Sequence, residues 1–102
     1  MNNWVNDKTL GLADALVRIN DRKTALNFLR DLLTIKEIQT IENRWRAAQM
    51  LHDGMSYTQI ENETGLSSAT IAIVQKYLQY GEGGYKALLE KHNSLSQSTL
   101  KD

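Results

Sequence analysis

The sequence predicts an all-α fold, a six-helix domain without β-strands. Apolar residues recur at intervals of three and four along most of the 102-residue chain, which is the spacing of one helix face. The chain contains no proline, so its helices can run without a proline break. We expect one helical domain over residues 1–92 and a disordered tail over 93–102, because the tail is rich in Ser, Thr, Asn and Gln.

The first two predicted helices are short and amphipathic. The first covers residues 6–19 with Asn6 or Asp7 as its N-cap, and the second follows Asp21, which is a good capping residue. Each has one apolar face that must be buried against another surface. These faces consist of Leu10, Ala13, Leu16 and Val17 in the first helix and Ala25, Phe28, Leu29, Leu32 and Leu33 in the second.

The third predicted helix is the longest, from residue 35 to about residue 52. Thr34 and Glu37 have the spacing of a capping box at its start, and Gly54 is placed to end it. Its last turn carries His52, a basic group that suits the negative end of a helix dipole. The predicted buried stripe is Ile38, Ile41, Trp45, Ala48 and His52, with Leu51 beside it.

Residues 56–80 have the pattern of a helix-turn-helix. Ser56 begins a second capping box, and Ile60 and Thr64 lie four residues apart on one helix face. Gly65 follows directly, where the end of a helix favours a residue that tolerates positive φ. The first helix of the motif is therefore predicted to end in a glycine turn.

The second helix of this motif begins after Ser67, which can cap it, and Leu66 fills the angle between the two helices. Ile71, Val74 and Leu78 form its buried stripe at steps of three and four. In DNA-binding proteins with this motif, the second helix lies in the major groove. The alternative is an ordinary helical hairpin inside an all-α domain, since glycine turns are common.

A sixth helix is predicted after the glycine-rich loop at residues 81–84. It is short and runs from Tyr85 to about His92. Its apolar residues are Ala87, Leu88 and Leu89.

Composition excludes several functional classes. The chain has no cysteine, and its two histidines, His52 and His92, are far apart in sequence, so we expect no metal site and no cofactor. No Ser, His and acidic set has the spacing of a catalytic group, which argues against an enzyme. Without a membrane-spanning apolar segment or an N-terminal signal sequence, the protein is expected to be cytoplasmic, with no membrane partner.

Charge is unevenly distributed along the chain, although Lys plus Arg and Asp plus Glu balance at 12 each. Residues 1–51 contain eight cations and six anions, for a net charge of +2. Residues 52–92 contain three cations and five anions, for a net charge of −2, and Lys76 is the single cation of the predicted helix-turn-helix. DNA affinity depends largely on neutralising phosphates, so this acidic half is a poor match to DNA.

Several segments, in their order and spacing, resemble the Trp repressor superfamily. Residues 34–39 read TIKEIQ, residues 56–65 read SYTQIENETG and residues 78–85 read LQYGEGGY. The same segments are similar to those of the YerC/YecD branch of that superfamily, and the likeness covers about residues 10–90. The resemblance implies a six-helix Trp-repressor-like fold.

The resemblance also implies an intertwined homodimer, in which the N-terminal helices of each subunit wrap around the partner. Two helix-turn-helix heads on a two-fold axis would then meet successive major grooves of double-stranded DNA. The implied function is that of a transcriptional regulator, a repressor. The alternative is a monomeric helical bundle, which would leave large apolar faces exposed.

In the Trp repressor, tryptophan lies between two arginines, and a serine receives its amino group. By resemblance, these positions correspond to Arg44, Ile73 and Tyr77. Ile73 supplies no cation for a carboxylate, and Tyr77 is bulky where a small hydroxyl is needed. We therefore expect a degenerate effector pocket that does not bind tryptophan. Its residues are Thr34, Arg44, Ile73 and Tyr77. Another small effector stays open, because Arg44 still offers one cation to a small anion.

The DNA-binding surface is predicted from the helical wheel of the second helix, with the buried stripe turned inward. The outward residues and the two helix starts include no arginine, so readout would depend on apolar contacts, DNA shape and water. The competing hypothesis is a dimeric helical protein-interaction module that has lost strong DNA binding. The predicted DNA-binding residues are Tyr57, Thr58, Ser67, Ser68, Ala69, Thr70, Ala72, Ile73 and Lys76.

Overall fold

A computed structural model of the chain describes residues 3–90, and these residues form six helices and no strand. The predicted all-α fold is therefore confirmed, and the predicted helix ends lie close to the observed ones. The helices are α1 Asp7–Arg18, α2 Arg22–Leu32, α3 Ile35–His52, α4 Tyr57–Thr64, α5 Ser68–Tyr80 and α6 at residues 84–90.

The chain divides into two compact units, residues 1–38 and residues 39–102. The first contains α1, α2 and the start of α3, and the second contains the rest of α3 with α4, α5 and α6. The predicted tail at 93–102 and the predicted helix end at His92 lie outside the described residues. Across residues 3–90, none of the helices combines the length and the apolar character that crossing a membrane requires.

Polar side chains cap α1 and α2 where the sequence places them. The Asn6 side chain accepts hydrogen bonds from two backbone N–H groups in the first turn of α1, so Asn6 rather than Asp7 is the N-cap. At α2, the Asp21 carboxylate accepts from the backbone N–H of Thr24 at 2.8 Å. That bond, together with one from the Thr24 hydroxyl, lowers the pKa of Asp21 by stabilising the ionised form.

The predicted capping box starts α3. The backbone N–H of Glu37 donates to Oγ1 of Thr34 at 3.1 Å, and the backbone N–H of Thr34 donates to Oε1 of Glu37 at 2.9 Å. The Thr34 N–H lowers the pKa of Glu37 because it stabilises the carboxylate. This contribution to the cap is present at neutral pH and is lost as the pH falls through the lowered pKa.

The first unit has apolar helix faces but no core of its own. No residue of α1 or α2 is buried. Leu10, Leu16 and Leu26 are 53%, 51% and 60% exposed, although the first two belong to the predicted apolar face of α1. Apolar surface of this extent is unusual on a stable monomer.

The second unit has a small core formed by α3, α4 and α5. Ala47 and Ala48 of α3, Ile60 of α4 and Ile71 of α5 are completely buried in one cluster. The two small alanine side chains of α3 leave room in this cluster for the two large isoleucines. Half-buried side chains surround the cluster: Trp45, Leu51, Leu66 and Tyr85.

The predicted buried stripe of α3 is partly wrong. Ile41 is 43% exposed and His52 is exposed, whereas Ala47 and Met50 are buried. Apolar residues occur on more than one face of α3, so their spacing alone does not identify the face that packs against α4 and α5. His52 does occupy the last residue of α3, as predicted.

The turn between α4 and α5 is fixed by Thr64 and Gly65. Gly65 has a φ of 74°, the left-handed conformation predicted for the end of α4. Oγ1 of Thr64 donates to the carbonyl oxygen of Ile60 at 2.7 Å and accepts from the backbone N–H of Leu66 at 3.1 Å. Since Thr64 is only 9% exposed, these bonds satisfy a buried hydroxyl and tie both sides of the turn together.

We predict that Thr64→Val destabilises the protein by about 1–3 kcal/mol, because it leaves the Leu66 N–H without its acceptor while keeping the side-chain shape. Thr64→Ser is the matched control, since it keeps the hydroxyl and loses one methyl group, at a cost of about 1 kcal/mol. Urea unfolding at one fixed protein concentration measures both. A Val variant as stable as the wild type would show that the hydroxyl does not hold the turn.

Candidate nucleic-acid interface

Helix α5 is fixed along one face and open along the other. Its predicted inward stripe is confirmed, because Ile71, Val74 and Leu78 are all buried. Its start is held by Ser67, whose Oγ accepts a hydrogen bond from the backbone N–H of Thr70 at 3.2 Å. The opposite face of α5, which we call the open face, is exposed to solvent while the helix itself is packed and capped. Its residues are Ser68, Ala69, Ala72, Ile73 and Lys76.

The predicted DNA-binding residues lie at the starts of α4 and α5 and along the open face of α5. All of them are exposed except Thr70, which is half-buried. The Ser67 hydroxyl donates to the Thr70 hydroxyl at 3.1 Å, so both hydroxyls take part in the N-terminal cap of α5. The exposed members of the set are Tyr57, Thr58, Ser67, Ser68, Ala69, Ala72, Ile73 and Lys76.

The charges around the helix-turn-helix include one pair, between α3 and α4, that the sequence pattern does not predict. Nε of Arg46 on α3 lies 3.6 Å from Oε1 of Glu63 on α4, with both side chains about half exposed. The pair offsets one of the two acidic charges of α4, but its contribution to stability is small at this exposure. Lys76 is the single cation in the sequences of α4 and α5, and it lies on the open face.

Tyr77 lines an apolar cavity of about 400 Å³ together with Trp45 and Tyr85. The rings of Trp45 and Tyr85 stack, with centroids 6.3 Å apart and planes inclined by 17°. Among the described residues, Glu82 is the charged member of the lining. A cavity with aromatic walls and a carboxylate offers no cation to the carboxylate of an amino acid.

The cavity depends on the way the chain leaves α5. The helix ends at Gly81, where any side chain would collide with the carbonyl oxygen of Tyr77. From there the chain turns into α6, which contributes Tyr85 and Leu88 to the cavity wall. The glycine-rich segment identified in the sequence thus positions an aromatic residue against α3, which spacing along the chain does not reveal.

The residues of the predicted degenerate effector pocket divide between the two units. Arg44, Ile73 and Tyr77 belong to the second unit, and all three are exposed. Thr34 belongs to the first unit, where its hydroxyl caps α3. Tyr77 contributes aromatic bulk to the cavity beside Trp45 rather than a small hydroxyl.

A short helix, a turn fixed by a left-handed glycine and a second helix with one open face define an all-α helix-turn-helix protein. The sequence profile of the Trp repressor protein family matches residues 8–93. The chain belongs to the Trp repressor family, as the resemblance in its sequence motifs suggests.

Individual relatives agree with this assignment. The chain is 39% identical over 80 residues to the uncharacterized protein YerC of Bacillus subtilis strain 168, which covers 78% of this chain and 77% of that protein. The structure of the present chain is similar to that of a TrpR-like protein from Eubacterium eligens, with a TM-score of 0.85 and 32% identity. The match covers 91% of this chain and 96% of the other. The crystal structure of a candidate Trp repressor from Staphylococcus aureus is also similar, with a TM-score of 0.81 and 35% identity. The match covers 87% of this chain and 89% of the other.

We predict that L-tryptophan does not bind to this protein. Ile73 carries no charge for the carboxylate of tryptophan. Tyr77 fills space beside an apolar cavity where the amino group would need a small hydroxyl. Isothermal calorimetry should show no binding heat at micromolar to millimolar tryptophan, with a tryptophan-responsive member of the family as the positive control. Saturable binding in the micromolar range would contradict this prediction.

Proposed function

We propose that this protein is a sequence-specific DNA-binding transcriptional regulator, a repressor that does not respond to tryptophan. The observation that carries the proposal is the open face of α5, which is held by the turn at Gly65 and capped at Ser67. A helix fixed in this way can enter the major groove without losing its packing. The N-terminal ends of α4 and α5 add backbone N–H groups that suit phosphates. The proposed role is regulatory rather than catalytic.

We further propose that the protein acts as a homodimer. The support comes from the first unit, whose apolar faces are not buried within the part of one chain that the structure describes. Burying apolar surface contributes about 25 cal/mol per Å², so a partner that covers these faces would add substantial stability. A two-fold dimer would present two copies of α5, and to read half-sites one helical turn apart these copies must lie about 34 Å from each other.

Sedimentation tests the dimer directly. We expect a dimer of twice the 11.6 kDa chain mass at micromolar concentration. Leu16→Glu should dissociate or unfold it, because a charge would enter the apolar face of α1. Lys8→Glu is the matched control on the same helix, and it should leave the dimer intact. A folded wild-type monomer at micromolar concentration would contradict this proposal.

The second candidate function is a dimeric protein-interaction module that has lost strong DNA binding. The observation in its favour is a pair of exposed aromatic side chains in the C-terminal part of α5. Tyr77 is 55% exposed and Tyr80 is 80% exposed. Aromatic residues are enriched at protein interfaces, and the net charge of −2 over residues 52–92 opposes DNA. The two functions differ in whether duplex DNA is bound at low salt.

We predict a shallow salt dependence of DNA binding. Each phosphate contact contributes about −0.9 to the slope of log affinity against log salt, so a head with one or two cations, doubled by symmetry, gives a slope of only a few units. Lys76→Ala should weaken binding to all sequences alike and make the slope shallower. Ile73→Arg adds one cation per subunit and should steepen the slope by roughly two per dimer.

Fluorescence anisotropy with duplex DNA over a salt series provides these slopes. Lys86→Ala is the matched control, because Lys86 is an exposed lysine of α6 outside the helix-turn-helix. Its affinity and slope should equal those of the wild type. If the wild type binds DNA well and Lys76→Ala changes neither quantity, another surface holds the DNA. Absence of binding even at low salt would favour the interaction module.

A further inference from the structure

We infer that the open face of α5 reads thymine through its 5-methyl groups, so that the operator half-sites of this protein are rich in thymine. The inference rests on the proposed function, since it names the base chemistry that the same helix recognises. Two observations support it. The side chains exposed at the start of α5 are mostly apolar, and none of them can make the bidentate hydrogen bonds that read the other bases.

The residues that reach base edges in a helix-turn-helix lie toward the N-terminal end of the second helix. In α5 the exposed residues there are Ser68, Ala69, Ala72 and Ile73, and Ile73 is 51% exposed. Three of these four side chains are purely apolar, and the fourth carries one small hydroxyl. This end of α5 therefore presents methyl groups to its surroundings.

These residues exclude the usual polar readout of the other bases. Guanine is read by bidentate Arg or Lys, adenine by bidentate Asn or Gln, and cytosine by an acidic side chain. No exposed residue from Ser68 to Ile73 belongs to any of these types. The next exposed polar side chain is Lys76, which follows Ala72 by four residues, or about 6 Å along the helix axis. Gln75 is half-buried, so it is not part of the open face.

Thymine is the base that matches this surface. Its C5-methyl group is the apolar group that a standard base pair presents in the major groove. Contact between that methyl and Ile73, Ala69 or Ala72 removes apolar surface from water on both sides. Since α4 and α5 contribute one cation, phosphate contacts supply little affinity, and these apolar contacts carry a larger share of specific binding.

The test begins with selection of duplexes from a random pool at low salt, using the full-length protein. We expect the bound sites to be enriched in thymine at positions related by two-fold symmetry. Each such thymine is then replaced by deoxyuridine, which keeps the hydrogen-bonding groups and removes only the methyl. Affinity should fall roughly fourfold for each contacted methyl. Replacement of thymines outside the selected site is the control, and it should have no effect.

A double-mutant cycle tests whether the affinity lost with a thymine methyl group comes from contact with Ile73. Ile73→Ala removes apolar surface from an exposed position, so it tests contact without disturbing the core. In this variant the deoxyuridine penalty at the thymine facing Ile73 should shrink toward onefold, because the two changes remove the same contact. Lys76→Ala should weaken binding overall and leave every deoxyuridine penalty unchanged.

The outcomes separate this inference from the proposed function. If no duplex is selected at low salt, the proposed function fails and the inference fails with it. If duplexes are selected but deoxyuridine replaces thymine without loss of affinity, DNA binding stands and thymine readout is overturned. If the penalty at every selected thymine is the same in the wild type and in Ile73→Ala, Ala72→Gly and Ala69→Gly, the assignment to α5 is overturned.

Discussion

The geometry of the helix-turn-helix depends on one buried hydroxyl group. Oγ1 of Thr64 bonds to the last turn of α4 on one side and to the first residue after Gly65 on the other. Because Gly65 supplies the left-handed turn, α5 can fold back so that Ile71 joins Ile60 in one cluster with Ala47 and Ala48. The core of the second unit is small, so loss of this turn would expose much of it.

The parts of the fold that sequence reasoning predicts well are those set by neighbours within four residues. The capping boxes at Thr34 and Ser56, the cap at Ser67 and the conformation of Gly65 all belong to this class. Hydrogen bonds between near neighbours need only the local pattern, so the pattern identifies them. The buried stripe of α5 is also predictable, because α5 has one clearly apolar face.

The remaining features need information that the pattern does not contain. Residue spacing predicts the buried face of α3 wrongly at Ile41 and His52, since several faces of that helix are apolar. The aromatic cavity brings Trp45 and Tyr85 together across a large separation in sequence, and the Arg46 to Glu63 pair joins different helices. The open face of α5 was predictable as a surface, whereas its neighbours on α3 and α6 were not. The apolar face predicted for α1 is exposed within the described part of one chain, where no residue of α1 is buried.

The single cation of the helix-turn-helix has a kinetic consequence under the proposed function. Regulators commonly reach their sites by first binding anywhere along DNA through phosphate contacts and then sliding or hopping. With Lys76 alone on α4 and α5 and a net charge of zero, electrostatic steering would accelerate association only slightly. The search would proceed mainly by diffusion through solution, with short visits to non-specific sequences. Differences in occupancy between operators would then follow mainly from residence time, which the proposed apolar contacts of α5 would set, because the association rate varies little between sites.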